Sequence, residues 1–260
     1  MDEKQQVDSI NSALQDDVPE MQKAPNTVVE LIRGVFNDEL QSWDTTAIVR
    51  ELNGFDEEAL ASLDNRNLVY AEYMSTLLKR AVVSIGSITI ANHPSVIDNL
   101  IIGDRDLLFL GVVEATYGKN REYQVTCGSC EASNDVIVSM DEFENKKTDM
   151  DVHKPLVGKL SDGSEIEFRL PTGGDSQFVA KKAKSTAEQN TFMIARCVTS
   201  PHIKNTENWA KGLGLKDRAN LVKLLLDNQP GPVVGEVNAQ CATCGEPMVL
   251  ALDWASLLFG

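Results

Sequence analysis

Two Cys-x-x-Cys pairs constrain this chain more than any other feature of its sequence. The first lies in QVTCGSCEAS, residues 124–133, and the second in NAQCATCGEPM, residues 238–248, with 110 residues between Cys130 and Cys241. Small residues inside each pair favour a tight turn whose backbone amides point at the sulfur atoms. Gly245 gives the second pair the C-x-x-C-G form that is common in zinc knuckles.

Strand-like segments flank both pairs. Those before the pairs contain Tyr123, Val125, Val233, Val234 and Val237, and those after cover residues 135–139 and 248–252. The repeated strand–knuckle–strand pattern predicts a zinc ribbon with one structural, tetrahedral Zn²⁺ and no open position for catalysis. The predicted metal ligands are Cys127, Cys130, Cys241 and Cys244. Because the cost of closing a loop grows only logarithmically with its length, the intervening chain can be a folded insert.

Other uses of these cysteines stay open at this stage. Five cysteines and no secretory signal fit a disulfide framework poorly. A thioredoxin-like redox pair would open a helix and have a lowered thiol pKa, whereas alternating polar and apolar residues follow both pairs here. Free thiols are the remaining alternative. Cys197 lies in the apolar run FMIARCV and is predicted to be a core residue.

Composition and charge exclude several classes of protein. The formal net charge is −15 and no basic stripe with interleaved aromatic residues occurs, so direct nucleic-acid binding is not expected. No run of about 18 uncharged apolar residues occurs, so no membrane span is expected. The start of the chain is acidic and polar, unlike a secretory signal, which predicts folding in a cytoplasm.

The element pattern predicts an α+β fold of short strands and helices, with a split four-cysteine zinc ribbon and a mostly helical insert between its two knuckles. We divide the chain into an acidic N-terminal arm, an α+β body, a split zinc ribbon, a hairpin and helical insert, and an apolar C-terminal tail. In that order they are residues 1–26, 27–118, 119–140 plus 233–253, 141–232 and 254–260. The arm is predicted to be a solvated tail with a short helix around residues 8–14, or a segment that orders on a partner.

Strand signals open the body. Residues 27–53 predict short strands, with Val28, Leu31, Ala47 and Val49 buried. The stretch FDEEALASL then predicts a helix, because its first turn carries acids that the helix dipole favours.

After an interruption at Asn65 or Arg66, three- and four-residue spacing of apolar positions predicts a helix that runs to Gly86. A short strand and turn are predicted for residues 87–103. Asp104 is predicted to cap an almost entirely apolar, central helix that ends at Gly118.

Turn and breaker residues organise the second half. SDGS at 161–164 predicts a hairpin between LVGKL and EIEFRL. Helices are predicted over 175–198 and 217–228, because Pro201 and the QPGP stretch stop them. The C-terminal MVLALDWASLLFG is predicted as a strand and an apolar segment that docks on the body or on a neighbour. No internal repeat is apparent.

No constellation of catalytic residues is recognisable, and we predict that the chain is not an enzyme. His93, His153 and His202 are isolated and stand next to or near loop positions. No Walker loop, nucleophile elbow or H-E-x-x-H motif occurs. The two glycines of LPTGGDS could hold an anion at a helix start, but a plain helix-entry turn explains them better.

The order of features carries a resemblance to a known family. VRELNGFDEEAL, GDRDLLFLGVVEATYG and the first knuckle are followed by FRLPTGGDSQ, two helices, PGP, the second knuckle and a hydrophobic end. This order resembles the zinc-ribbon baseplate hub proteins of tailed bacteriophages over residues 28–259. The chain departs from that pattern in having LIRG where the family often has a Leu-Pro-Ser turn, and in lacking a proline inside the knuckles.

The resemblance implies a structural component or assembly factor of a phage tail baseplate that binds other tail proteins in a multi-subunit assembly. It implies a location in the host cytoplasm during assembly and then in the virion tail. The four knuckle cysteines match the family's zinc ligands, while the acidic arm and the apolar tail are candidate partner contacts. Alternatives are an intracellular zinc-ribbon interaction module that is not part of a virion, and a thiol oxidoreductase.

Overall fold

A computed structural model describes residues 27–63 and 70–259 of the chain. The predicted acidic arm and the predicted helix interruption at Asn65 or Arg66 lie outside the described residues. The strands are β1 (Thr27–Asn37), β2 (Ser42–Val49), β3 (Val82–Ile85), β4 (Ile88–Thr89), β5 (Asn120–Thr126), β6 (Ser133–Ser139), β7 (Asn145–Lys146), β8 (Leu156–Lys159), β9 (Glu165–Phe168), β10 (Gly231–Pro232), β11 (Glu236–Gln240) and β12 (Pro247–Ala251). The helices are α1 (Gly54–Ala61), α2 (Tyr70–Ala81), α3 (Ser95–Asn99), α4 (Ile102–Tyr117), α5 (Gly173–Lys182), α6 (Thr186–Cys197), α7 (Thr206–Gly212), α8 (Leu215–Asp227) and α9 (Trp254–Phe259). This mixture confirms the predicted α+β class.

An antiparallel sheet in the order β1-β2-β3-β4 forms the first layer, and the apolar helix α4 packs on β1 and β2. Leu31, Ala47 and Val49 are buried as predicted, but the prediction for Val28 is wrong, because 60% of it is exposed. Side chains alternate along β1, so Val29 and Leu31 share the inward face and Val28 points outward.

The helix predicted to run to Gly86 is shorter. It ends at Ala81, and Val82–Ile85 forms β3, which pairs with β2. Two adjacent valines disfavour a helix and favour a strand, because β-branched side chains restrict χ1. Gly86 makes the following turn with a φ of 52°.

Asp104 does not cap α4, so that prediction is wrong. The helix begins two residues earlier, and the Asp104 carboxylate accepts hydrogen bonds from the backbone N–H groups of Ile32 (2.6 Å) and Gly34 (2.8 Å). At these residues the pairing of β1 with β2 shifts register, so the buried carboxylate satisfies amides that the sheet leaves unpaired. Gly118 ends α4 as predicted.

The second half contains the predicted hairpin β8–β9, whereas the single helix predicted over 175–198 is two helices, α5 and α6. Ser185 starts the second of them by accepting a hydrogen bond from the N–H of Glu188. Helix α8 confirms the prediction for 217–228. The short helices α3 and α7 were not predicted, because five to seven residues give too little periodicity to detect.

The apolar C-terminal segment docks on the body of the protein. Leu257 and Leu258 are 0% and 2% exposed, and the Trp254 ring meets the Phe109 ring edge to face, with centroids 5.4 Å apart. Docking on the body, one of the two predicted alternatives, is therefore confirmed for Leu257 and Leu258, while the predicted contact of residues 254–260 with a partner stays a prediction.

Two hydrophobic clusters divide the interior. One joins the sheet, α2, α4, the hairpins β5–β6 and β11–β12, and α9. The other lies between the β8–β9 hairpin and helices α6 to α8. We call residues 27–117 the N-module and residues 156–227 the C-module. Both modules contain, in the same order, a hairpin, two helices, a short helix and a long helix, and each is followed by a knuckle hairpin. The N-module has in addition the strands β3 and β4 between its second helix and its short helix. The chain thus contains an internal repeat, contrary to the sequence-based expectation.

Candidate metal centre

Two β-hairpins carry the predicted ligands at their turns. In β5–β6 the N–H of Cys127 donates to the carbonyl of Ala132, and the N–H of Glu131 donates to the carbonyl of Cys127. In β11–β12 the N–H groups of Cys241 and Gly245 make the same two bonds, to the carbonyls of Glu246 and Cys241. In each turn the fourth residue after the first cysteine has a positive φ, which is 60° at Glu131 and 75° at Gly245. The two turns therefore share one backbone conformation, which glycine adopts without strain.

The structure brings the four predicted cysteines together. The Sγ atoms of Cys127 and Cys244 are 3.7 Å apart, and those of Cys130 and Cys241 are 3.6 Å apart. All four Sγ atoms lie within 4.8 Å of one another, and none is in a disulfide. Each close pair joins one hairpin to the other, so the cluster closes only when both hairpins meet.

These separations suit a single tetrahedral ion. A Zn–S distance of about 2.3 Å gives sulfur–sulfur separations of about 3.8 Å in a regular tetrahedron. Cys127 and Cys241 are buried, and Cys130 and Cys244 face solvent. One cysteine of each pair therefore anchors in the core while the other leaves a path for an ion to enter.

Asn134 links the two hairpins beside the sulfur atoms and was missed by the sequence analysis. Its Oδ1 accepts from the N–H of Ala242 at 2.9 Å, and its Nδ2 donates to the carbonyl of Ala132 at 2.9 Å and to Cys241 Sγ at 3.6 Å. It is 8% exposed and shares the inward face of β6 with Val136 and Val138. The sequence did contain a signal for this role. Asn134 is a polar residue at a position where the alternation along β6 predicts an inward-facing side chain.

The surroundings of the sulfur atoms bear on their charge. Backbone N–H groups of Cys244 and Thr243 lower the pKa of the Cys241 thiol to about 6. The N–H of Glu246 is the largest single influence on the pKa of Cys244 and lowers it, but the sulfurs of the other three cysteines and burial together outweigh it and raise that pKa to about 12. A cation among the four sulfurs would favour the thiolate at each of them.

The remaining candidate residues lie elsewhere. Cys197 is fully buried in the C-module as predicted, and burial raises the pKa of its thiol to about 12. His93, His153 and His202 are exposed. The helix start at LPTGGDS is occupied by the carboxylate of Asp175, which accepts hydrogen bonds from Thr172 as part of a capping box. It is therefore a helix-entry turn.

Comparisons with known proteins give one match. A family model described as T4 bacteriophage base plate protein matches residues 35–253, or 219 of the 260 residues. The matched span contains both modules almost entirely, both knuckle hairpins and all four clustered cysteines. No curated protein and no solved structure matches the chain. Within residues 27–63 and 70–259, no helix is long and apolar enough to cross a membrane.

Proposed function

We propose, on the premise that this chain belongs to the T4 bacteriophage base plate protein family, that it is a structural part or assembly factor of the phage tail baseplate. In this role its fold is stabilised by one structural Zn²⁺, and it binds other tail proteins. It assembles in the host cytoplasm and acts in the virion tail. The proposed zinc ligands are Cys127, Cys130, Cys241 and Cys244.

The observation that carries this proposal is that two Cys-x-x-Cys turns meet in space, although one hairpin precedes the C-module in the chain and the other follows it. Four thiolates fill a tetrahedral Zn²⁺ and leave no coordination position for a substrate, which suits a structural site. Structural zinc can contribute on the order of 10 kcal/mol of apparent folding free energy. That exceeds the stability of many single domains. The ion would hold the β11–β12 hairpin against the β5–β6 hairpin within the hydrophobic cluster that contains the four-stranded sheet and α4.

A structural role also fits the cysteine geometry better than thiol redox chemistry does. Both pairs lie in hairpin turns and neither opens a helix, unlike a thioredoxin-like redox pair. The lowered pKa of Cys241 comes from backbone amides of its own turn, and the thiolate that they favour is also the form that binds a metal. The family is one of baseplate parts, so we propose no catalytic activity.

The test uses the phage and the purified chain together. A phage that lacks the gene is complemented with the wild-type chain, with Cys127→Ser or with Cys241→Ser, and tails are counted by electron microscopy. We expect tailed particles only with the wild-type chain, and we expect other tail proteins to co-purify with it alone. Full rescue by variants that bind no zinc would overturn the metal's role. Normal tails without any copy of the chain would overturn the baseplate role.

A further inference from the structure

The two modules build the same charged cluster at equivalent places. In the N-module it consists of Arg50, Asp56 and Arg80, and in the C-module of Arg169, Asp175 and Arg196. The first arginine donates from Nη1 to the aspartate Oδ2 at 2.6 Å in both modules. The second donates from Nε to Oδ1 at 2.8 Å and 2.7 Å. In both, the first arginine also donates to the carbonyl of the second.

A second network is repeated as well. Arg105 donates to the carbonyls of Ala71 and Ile97 and to Ser75 Oγ. Arg218 donates to the carbonyls of Ala187 and Ala210 and to Thr191 Oγ1. The aspartates just before these arginines, Asp104 and Asp217, accept from the backbone N–H groups of Ile32 and Ser161 at equivalent points of the two hairpins.

The backbone agrees between the modules at the turn before the long helix. Leu100 has φ −66° and ψ 144°, and Leu213 has φ −66° and ψ 145°. These correspondences pair the first hairpin and all four helices of the C-module with elements of the N-module, whereas β3 and β4 have no counterpart strands. In particular α1 matches α5, and the junction between α3 and α4 matches the junction between α7 and α8.

The start of the C-module packs on the N-module, but the equivalent part of the N-module makes no comparable contact with the C-module among the described residues. The start of α5 lies against the α3–α4 junction, where the N–H of Gly173 donates to the carbonyl of Leu100 at 3.0 Å and the N–H of Ile102 donates to that of Pro171 at 3.3 Å. Gln177, one turn further along α5, donates to Asp98 at 2.8 Å. Gly173 has no room for a side chain, because an added Cβ would clash with Arg105 Nη1.

The matching faces are left unused within the chain. We call residues 53–58, at the start of α1, the donor face, and residues 211–215, at the α7–α8 junction, the acceptor face. Among the described residues, α1 makes no packing on α6 or α7 comparable to that of α5 on α2 and α3. Gly54 is the counterpart of Gly173, yet an added Cβ there would meet nothing within 4 Å.

Both unused faces carry exposed apolar side chains. Phe55 on the donor face is 80% exposed, and Leu215 on the acceptor face is 84% exposed. Leu215 is the counterpart of Ile102, which lies in the contact between the modules. A single exposed apolar side chain is common on protein surfaces, but these two lie at positions whose counterparts belong to the contact between the modules.

The charges on the two faces favour a second copy of this chain as the partner. The pair Gln177 and Asp98 in the internal contact corresponds to Glu58 on the donor face and Lys211 on the acceptor face. Docking the two faces as the modules dock would set a negative group against a positive one. Lys211 also pairs with Glu207 on its own helix at 2.6 Å, so Glu58 would approach a lysine that already has one carboxylate partner. The acceptor face of a second copy still offers the donor face both an opposite charge and the backbone arrangement of the internal contact.

We propose that the donor face of one chain binds the acceptor face of a second copy, repeating between chains the contact made between the modules. Such a head-to-tail contact is heterologous, so it builds a ring where the rotation closes and a filament where it does not. This proposal does not depend on zinc or on other tail proteins, because neither face includes a knuckle residue.

The test is sedimentation of the full-length purified chain over a range of concentrations. The wild-type chain should self-associate, and Phe55→Glu and Leu215→Glu should each abolish the association. Mixing the two variants should restore a dimer, because one keeps its donor face and the other its acceptor face. Val249→Glu, at an exposed valine on β12, is the control and should associate like the wild type.

Three further single variants, and one double variant, separate this contact from other modes of association. Glu58→Lys and Lys211→Glu should each weaken association at least tenfold, and the double variant should recover it. Gly54→Ala, which has free space within its own chain, should also weaken association, because in a second copy its methyl group would meet Arg218. A monomeric wild-type chain, or variants that do not complement on mixing, would overturn the proposal.

Discussion

The Sγ atom of Cys127 lies 3.7 Å from that of Cys244, a residue 117 positions further along the chain. The first belongs to the hairpin that follows the N-module, and the second belongs to the hairpin that follows the C-module. One ion held between them would cross-link two equivalent ends of a repeated unit. The cluster of four sulfur atoms therefore lies where the ends of the two halves of the molecule meet.

We predict one zinc per chain, held jointly by both hairpins. Cys127→Ser and Cys241→Ser should each lose the ion, because a tetrahedral site with three thiolates from two separate turns binds weakly. Elemental mass spectrometry of protein purified without chelators measures this. Cys197→Ala is the matched control and should keep the ion. Zinc retained in one of the two serine variants would contradict a shared site.

Asn134 is predicted to tune the affinity for the metal. Asn134→Ala removes the hydrogen bonds to Cys241 Sγ and to the N–H of Ala242, and partners of this kind are typically worth about 10–100-fold in metal affinity. Competition with a chromophoric chelator gives the value. Asp135→Ala, at the neighbouring outward position, should leave the affinity unchanged. Equal affinities of both variants and the wild type would exclude this role.

Asp175 should stabilise the C-module in a pH-dependent way. Burial alone would raise its pKa, but hydrogen bonds from Arg169 and Thr172 outweigh burial and lower the pKa below its usual value. The stabilisation is therefore complete above the unfolded pKa of about 3.9 and is lost as the pH falls through the folded value.

Asp175→Asn should accordingly cost about 2–3 kcal/mol at neutral pH. That is less than for a fully buried pair, because Arg169 and Arg196 remain about one-third exposed. Urea unfolding at several pH values should show the difference from the wild type shrinking below about pH 4. Glu57→Gln, at an exposed position in the first turn of α1, should cost no more than about 0.5 kcal/mol, and that cost should not come from a buried ion pair. A difference that is constant with pH would refute the assignment.

The docking of helix α9 is predicted to contribute to the free energy of folding. Leu257→Ala leaves a cavity in the cluster that includes both knuckle hairpins, and such changes cost about 2–5 kcal/mol. Thermal unfolding should report a clear drop in melting temperature, while Ala255→Ser, at an exposed position of the same helix, should not. An unchanged melting temperature for Leu257→Ala would mean that α9 is not docked in solution.

Gly173 and Gly54 should respond differently to the same added methyl group. Gly173→Ala places a Cβ against the Arg105 guanidinium, and the forced shift should cost about 1–3 kcal/mol. Gly54→Ala should stay within about 0.5 kcal/mol of the wild type, since its Cβ enters open space. Chemical denaturation of both variants side by side measures this. Equal stabilities would contradict the finding that Gly173 is packed against the other module while Gly54 is not.

The knuckles and their flanking strands could be predicted from the sequence because their signals are local. A cysteine pair with small residues between it, and alternation on both sides, specifies a turn in a hairpin without knowledge of the rest. The limits of the apolar helix α4 were nearly right for the same reason. Its first turn was misread, because the partner of Asp104 is a strand 70 residues away.

The repeat could not be predicted, because it is carried by a few polar residues at uneven spacing. Arg50 and Arg169 are 119 positions apart, whereas Arg105 and Arg218 are 113 apart. Arginine and aspartate are also common on surfaces, so their pattern has meaning only once the carboxylates are seen to be buried. The domain boundaries that the sequence suggested stay a prediction.

The split between the two hairpins has a consequence for the order of events on the ribosome. Cys127 and Cys130 leave the exit tunnel first, and at about 5–20 residues per second the 110 residues before Cys241 take roughly 5–20 s to follow. During that interval the nascent chain offers only half of the sulfur cluster. A site that needs all four sulfurs can therefore form only after Cys241 and Cys244 have emerged, so the N-module has this interval in which to fold before any ion could bridge the two hairpins.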